Sequence, residues 1–339
     1  MASIDPHAPP LPHFPYADLL DHGPYGDFRD ALKKDGYVVV KGAIPRERAL
    51  EYRDRLHGWL ESFGRGYDRN DPSTFSQAHL PVYSRGGMYN SYGIGQEQAV
   101  WDIRLEPGVR KAFETIWGTD KLVSSMDSAT IMLPGQPPLP PSLRQWKHVD
   151  LSPWRTANDA ANFFVAQGLV NLNDNGPDDG GLLVMKGSSE LLKQYFEETG
   201  RPKYEGGKYD WHTFEEEEMD WFFERGCEWL KVCAEPGDLI LWSSHTIHQN
   251  CPPRGTRDRV VTYVCQGPAE LMTEEDKAVR KRAFEEGYST SHAPFHGTWL
   301  VDRQPIREET GKVDPDYRTH KNPVEKTDAV RRLAGVLPY

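Results

Sequence analysis

The chain has 339 residues, 37% of them hydrophobic, and a formal net charge of -11, so it is long enough to bury a core without disulfide or metal staples. Its acidic balance is broken by no long run of lysine or arginine, which removes the electrostatic footprint of a nucleic-acid binder, and no stretch reaches the apolar length of a membrane span. The cysteines Cys227, Cys233, Cys251 and Cys265 form no CxxC pair, which points to reduced thiols and a cytoplasmic protein.

Residues 1–24 are rich in proline, show no periodicity and lack the basic start and apolar core of a signal peptide, so they read as an arm lying over the body. Asp27 is placed to cap a short helix carrying Phe28 and Leu32 that ends at Asp35-Gly36, and residues 37–40 follow as a strand. Pro45 stands where a helix would begin, and Ala49, Tyr52, Leu56, Trp59, Leu60 and Phe63 recur at helical spacing. From Arg65 to Gln98 the periodicity is lost in a stretch dense in Tyr, Gly, Asn and Ser. A loop of that length in a compact domain is often functional, so this one is expected to line a site. Residues 109–117 return to helix with Gly118 at the end, residues 122–133 read as one long strand, and the prolines between Pro134 and Pro141 force a loop before Gln145 re-enters a sheet.

Residues 162–173 and 182–185 read as strands on either side of an emphatic turn at 173–181. Helices are expected over 189–199, stopped by Gly200, and over 213–225, where Thr213-x-x-Glu216 has the spacing of a capping box. The acidic run 215–218 reads as a solvated face. Strands at 230–234, 239–242 and 259–265 are followed by helices near 273–286 and 327–333. Many strands of mixed alternation, with helices before and between them, predict a mainly β protein with bracing helices, built as an antiparallel sandwich or barrel in one domain.

The chemistry concentrates in Gln145-Trp146-Lys147-His148-Val149-Asp150 and in His248, a hundred residues after His148. A His and an Asp two apart on a strand project to the same side of the sheet. Alone the pair has a bland reading, a histidine hydrogen-bonded to its neighbour. Two imidazoles and one carboxylate on one face leave three coordination positions open, the arrangement that suits a non-haem Fe(II) oxygenase. Of Arg254, Arg257 and Arg259, only Arg259 opens an apolar run, where a guanidinium is costly to bury without a partner. There it would match a dicarboxylate through two parallel hydrogen bonds.

His-x-Asp, a Gly237-Asp238 strand whose Asp lies ten residues before His248, and Arg259 eleven residues after it together resemble the phytanoyl-CoA dioxygenase family of Fe(II)/2-oxoglutarate oxygenases, over roughly residues 30 to 265. The resemblance implies a double-stranded β-helix (jelly-roll, cupin-like) core, placed here over residues 25–270; the elements read above add a helical insertion near 189–226 and a C-terminal helical extension over 271–339 packed on the same domain. It implies Fe(II) on His148, Asp150 and His248, with His245 left outside the ligand set. It also implies 2-oxoglutarate on Arg259, with Gln145 and Asn250 as further contacts, and O2 as co-reactant. Where the family writes Pro-Gly-Ser-His this chain has Lys186-Gly187-Ser188-Ser189, a departure that bears on local packing or substrate shape. Related halogenases keep a small residue at the position of Asp150, so an Asp there argues for hydroxylation, desaturation or cyclisation.

A coenzyme A ester would want a basic cluster, which this acidic chain lacks. The expected substrate is therefore a small organic metabolite without phosphates, touched by Met88, Tyr89, Asn90, Met132 and Leu151, and a homodimer stays open. Two rival readings remain: a cupin-like iron dioxygenase or isomerase that does not use 2-oxoglutarate, and a non-catalytic binding module whose triad is a polar core cluster.

Overall fold

The Asp27 side chain accepts a hydrogen bond from the Arg29 backbone and opens α1 (Phe28–Asp35), which Gly36 closes at φ 79°. Strand β1 (Tyr37–Val40) and helix α2 (Arg46–Glu61) follow as their patterns predict. The computed structural model describes residues 23–135, 146–151, 165–200, 211–295 and 297–339; the expected N-terminal arm lies outside them apart from residues 23 and 24. Helices α3 (Gln98–Leu105) and α4 (Pro107–Trp117) come next, the first of them hidden from sequence reading by the irregular stretch before it.

The remaining strands in chain order are β2 (Met88–Tyr89), β3 (Leu122–Ser124), β4 (Ala129–Met132), β5 (His148–Val149), β6 (Ala166–Asn171), β7 (Gly181–Lys186), β8 (His212–Thr213), β9 (Glu228–Lys231), β10 (Leu239–Ser243), β11 (His248–Cys251), β12 (Arg259–Tyr263), β13 (Gln266–Pro268), β14 (Ser289–Thr290) and β15 (Leu300–Val301). They assemble into a large sheet in the order β1-β10-β6-β12-β4-β2, a smaller one in the order β8-β5-β11-β7-β9, and two short pairs, with antiparallel pairing throughout.

The large sheet is buried on both faces, and the alternation along each strand sorts the two. Leu239, Leu241, Val170 and Val260 pack with Leu56, Trp59, Val100 and Phe113 of the helices. Leu169, Ile240, Trp242 and Val261 point the other way and interdigitate with Leu182, Val184 and Val232 of the smaller sheet. Each such side chain contributes about 1.5–3 kcal/mol on burial. Gly237 fastens the β1–α2 connection to the large sheet where β10 begins. It sits at φ 91° with the Ile44 carbonyl oxygen 2.0 Å from where a Cβ would stand, and its own carbonyl accepts from Ile44 N. Asp238 beside it is buried and accepts from Lys41 Nζ, Gly42 N and Glu235 N.

Three expectations fail. The single strand over 122–133 is two, β3 and β4, in different sheets, because the chain turns at Ser125–Ser128, where Ser125 N bonds Cys265 O and Ser128 O receives Tyr263 N. The helix over 213–225 is confined to Met219–Phe223. Thr213 belongs instead to β8, paired with His148, and Phe214 N continues to the Lys147 carbonyl. The expected strand over 230–234 is shifted back to Glu228–Lys231.

Residues 271–339 lie against the helical side. The helix Glu274–Glu286 carries a full capping box at Thr273 and Asp276. From that helix the buried Arg280 donates to the carbonyls of Ala334, Pro294 and Ser124, so one guanidinium ties the extension to β3. Among the described residues no helix is long and apolar enough to cross a membrane.

Candidate metal centre and cosubstrate pocket

His148 on β5 and His248 on β11 are direct cross-strand partners, which brings their ring centroids to 4.2 Å. Each ring is fixed from behind: Nδ1 of His148 lies 2.7 Å from the Trp146 carbonyl and Nδ1 of His248 lies 2.9 Å from the Thr246 carbonyl. A carbonyl can only accept, so each Nδ1 carries the proton and each Nε2 keeps a free lone pair. Those Nε2 atoms stand 3.5 and 3.3 Å from the two oxygens of Asp150, and the donor atoms all fall within 4.8 Å of one another. Ligands near 2.1 Å from one ion and at right angles would lie about 3 Å apart, so the set fits one face of an octahedron with slight contraction.

The supports are local. β5 ends at Val149, and Asp150 is held just beyond it by its N–H on the Ser244 carbonyl at 3.1 Å. The turn before His248 is pinned twice: Ser188 Oγ receives Ile247 N at 2.9 Å, and Thr246 Oγ1 donates to Gly36 O at 2.7 Å. Gly36 must be a glycine, since a Cβ there would lie 2.5 Å from Thr246 Oγ1. Trp146 stacks on the His148 ring at 3.7 Å, and the Arg85 guanidinium covers the other face of the indole.

Electrostatics keep the set ready for a cation. Burial, then the neighbouring His248, pushes the His148 pKa down to about 3, so the ring is neutral near pH 7. Burial alone would raise Asp150, but His148, His292 and His248 outweigh it and hold the carboxylate well below its usual range. Gln167 on β6 donates to Asp150 Oδ2 at 2.6 Å and fixes its orientation. His245 is not among the clustered donors; burial pushes it down to about 4.

Arg259 begins β12 and is 2% exposed. It points inward with Val261 and Tyr263, and its buried Nη1 has no hydrogen-bond partner among the described residues. A desolvated guanidinium nitrogen without an acceptor is costly, and the carboxylate of a dicarboxylic acid would satisfy it. Arg254 and Arg257, by contrast, are exposed and paired with Asp178 and Asp179. Asn250 lies two residues past His248 on the same face of β11 and borders the cavity. Gln145 lies outside the described residues.

The cavity beside the triad holds about 190 Å³. Of the expected substrate contacts, Met88 and Asn90 border it. Tyr89 does not: the side chains of β2 alternate, and its ring turns away to pack against Trp59, leaving it 1% exposed. Met132 and Leu151 are also corrected, since neither borders the cavity. Met132 is buried opposite Arg259 in the β4–β12 register, and Leu151 joins the helix-side core. Sequence reasoning missed Gln167, Asp127, Ser291 and His292, all on the cavity wall. The last two come from the C-terminal extension, and no motif connects residues so distant to the triad.

A facial set of two imidazoles and one carboxylate in a pocket between antiparallel sheets, with a buried unpartnered arginine, defines the class: a 2-oxoglutarate-dependent non-haem iron oxygenase with Fe(II) and 2-oxoglutarate as its cofactors. The chain belongs to the phytanoyl-CoA dioxygenase (PhyH) family, which it matches over residues 32–261. It is 36% identical over 278 residues to Ava biosynthesis cluster protein O of Aspergillus versicolor, covering 81% of this chain and 87% of that one. It is 21% identical over 267 residues to a putative phytanoyl-CoA dioxygenase of Dictyostelium discoideum, covering 68% and 71%. Among solved structures, a hypothetical protein from Escherichia coli shares the fold with a TM-score of 0.60 at 18% identity, over 94% of this chain and 84% of the other.

Proposed function

We propose that the protein oxidises a small organic metabolite by hydroxylation, desaturation or cyclisation, and that His148, Asp150 and His248 hold the iron while Arg259 receives the distal carboxylate of 2-oxoglutarate. The observation that carries this reading is the cross-strand pair of imidazoles, each tied through Nδ1 to a carbonyl and each offering Nε2 beside Asp150. When bound, Fe(II) with 2-oxoglutarate and O2 supplies the oxidising power, giving succinate and CO2. The chain's own residues do the rest. Trp146 and Gln167 orient the first two ligands, Asn250 offers an amide to the keto-acid end, and the sheet walls exclude water from the reacting centre. The packed sheets are read as a double-stranded β-helix, within a single domain to which the 271–339 extension belongs.

The cavity's modest volume supports a small substrate. A relative named for a biosynthesis cluster supports an intermediate of secondary metabolism. The test is to measure iron content together with succinate release from 2-oxoglutarate. One bound iron and succinate formed only with both O2 and 2-oxoglutarate are expected. Iron without 2-oxoglutarate consumption would favour a cupin-like dioxygenase or isomerase, and no iron would favour a binding module.

A further inference from the structure

One carboxylate on the cavity wall stands without a cation beside it. With the site occupied as proposed above, on which this inference rests, iron, Asp150, 2-oxoglutarate and Arg259 sum to zero, and the positive charge of Arg85, stacked on Trp146, falls on Asp150. Asp127 also borders the cavity, and among the described residues no lysine or arginine does. Its carboxylate accepts only from Ser128, N at 2.6 Å and Oγ at 3.1 Å, both on Oδ1. Among the described residues no cation stands within ion-pair distance of it. Arg104 lies behind the wall with its Nη atoms spent on the Gly95 and Asp127 carbonyls, and His292, which shares the cavity wall with it, makes no ion pair with it either. Burial raises the Asp127 pKa, and Ser128, His292 and Arg104 offset this only in part, as expected for a carboxylate short of a counter-charge.

The wall that carries Asp127 is built rather than incidental. Met126 N donates to Thr290 Oγ1 at 2.9 Å and Thr290 N donates back to Met126 O at 2.8 Å, which locks segment 126–128 to segment 290–292 of the extension. Tyr263 supplies aromatic surface in the same cavity, and such a face favours a cation.

We propose that Asp127 is a substrate-binding residue and that the substrate presents a positively charged nitrogen, an amine or a guanidine, to it in the cavity it shares with the metal triad, with His292 as a further polar contact. The experiment uses the full chain, loaded anaerobically with Fe(II) and 2-oxoglutarate, and follows the visible absorption band of the iron–keto-acid chelate. Tyramine, tryptamine and agmatine are titrated against N-acetyltyramine and N-acetyltryptamine. The amines should perturb the band at concentrations about tenfold or more below those of their acetyl counterparts. In Asp127→Asn, which keeps an acceptor for Ser128 N, the band should form unchanged while that preference collapses. Equal binding of amines and acetyl amides, no perturbation by any amine at millimolar concentration, or a preference surviving in Asp127→Asn would each overturn the assignment. So would loss of the band in Asp127→Asn, which would move the residue into the iron half of the site. Failure of the wild-type band to form at all would instead sink the iron and 2-oxoglutarate reading beneath it.

Discussion

Arg259, whose buried Nη1 meets no acceptor among the described residues, is proposed to bind the cosubstrate, so its removal should separate cosubstrate binding from iron binding. Arg259→Ala should raise the 2-oxoglutarate requirement by well over about tenfold, the usual consequence of deleting one member of a desolvated charge pair, while iron content stays near that of the wild type. Arg257→Ala, which removes an exposed side chain paired with Asp179, should change neither. Steady-state succinate release against 2-oxoglutarate concentration reads both variants. Gln167 acts through Asp150, so Gln167→Ala should weaken iron binding by about 10- to 100-fold, the range typical of groups that orient ligands, measured by titration of Fe(II) under anaerobic conditions. His148 and Asp150 were legible as a pair because two-residue spacing on a strand puts side chains on one face, whereas His248 and Arg259 were picked out by the likeness of their spacing to the phytanoyl-CoA dioxygenase family. Gln167 was not, because its bond to Asp150 joins the two sheets, and nothing in a linear pattern records which strands will face each other. Tyr89 was misplaced for a simpler reason: Met88 and Asn90 look into the cavity, and alternation sends the residue between them outward.

Helices with caps and strands with β-branched runs were readable, as α1, α2, β1 and the helix Glu274–Glu286 show. β11 was not, although it carries a metal-facing histidine, because His-Gln-Asn-Cys has no apolar alternation and becomes a strand only by pairing between β5 and β7. Thr213 likewise follows its partner: the acidic run after it looked solvated and helical, yet Glu216 pairs with the buried Lys147 next to His148. The junction at Gly237 is the element-level test. An alanine there meets both an unfavourable positive φ and the Ile44 carbonyl oxygen at 2.0 Å, so Gly237→Ala should lose about 2 kcal/mol or more, read as a lower urea midpoint. Because the junction is remote from the triad, the fraction that remains folded should bind iron normally.

At the scale of the molecule, two histidines kept neutral by burial, His148 at about 3 and His245 at about 4, couple stability to pH. Below the unfolded value near 6.5 the unfolded chain takes up protons that the folded one refuses, so the iron-free protein should lose stability as pH falls from about 6.5 toward 4. The slope should reach about 1.4 kcal/mol per pH unit for each such group. His245→Gln should make the slope shallower, and thermal melting of iron-free protein at several pH values measures it. The lock between segments 126–128 and 290–292 has a wider consequence. The family match ends at residue 261, whereas Thr290, Ser291 and His292 border the reaction cavity. The metal-facing residues and part of the cavity wall therefore lie on different stretches of chain, so substitutions in the extension should alter which molecule is accepted while the iron site stays intact. Grafting the extension from one relative onto the sheets of another is accordingly the natural way to redirect this catalyst.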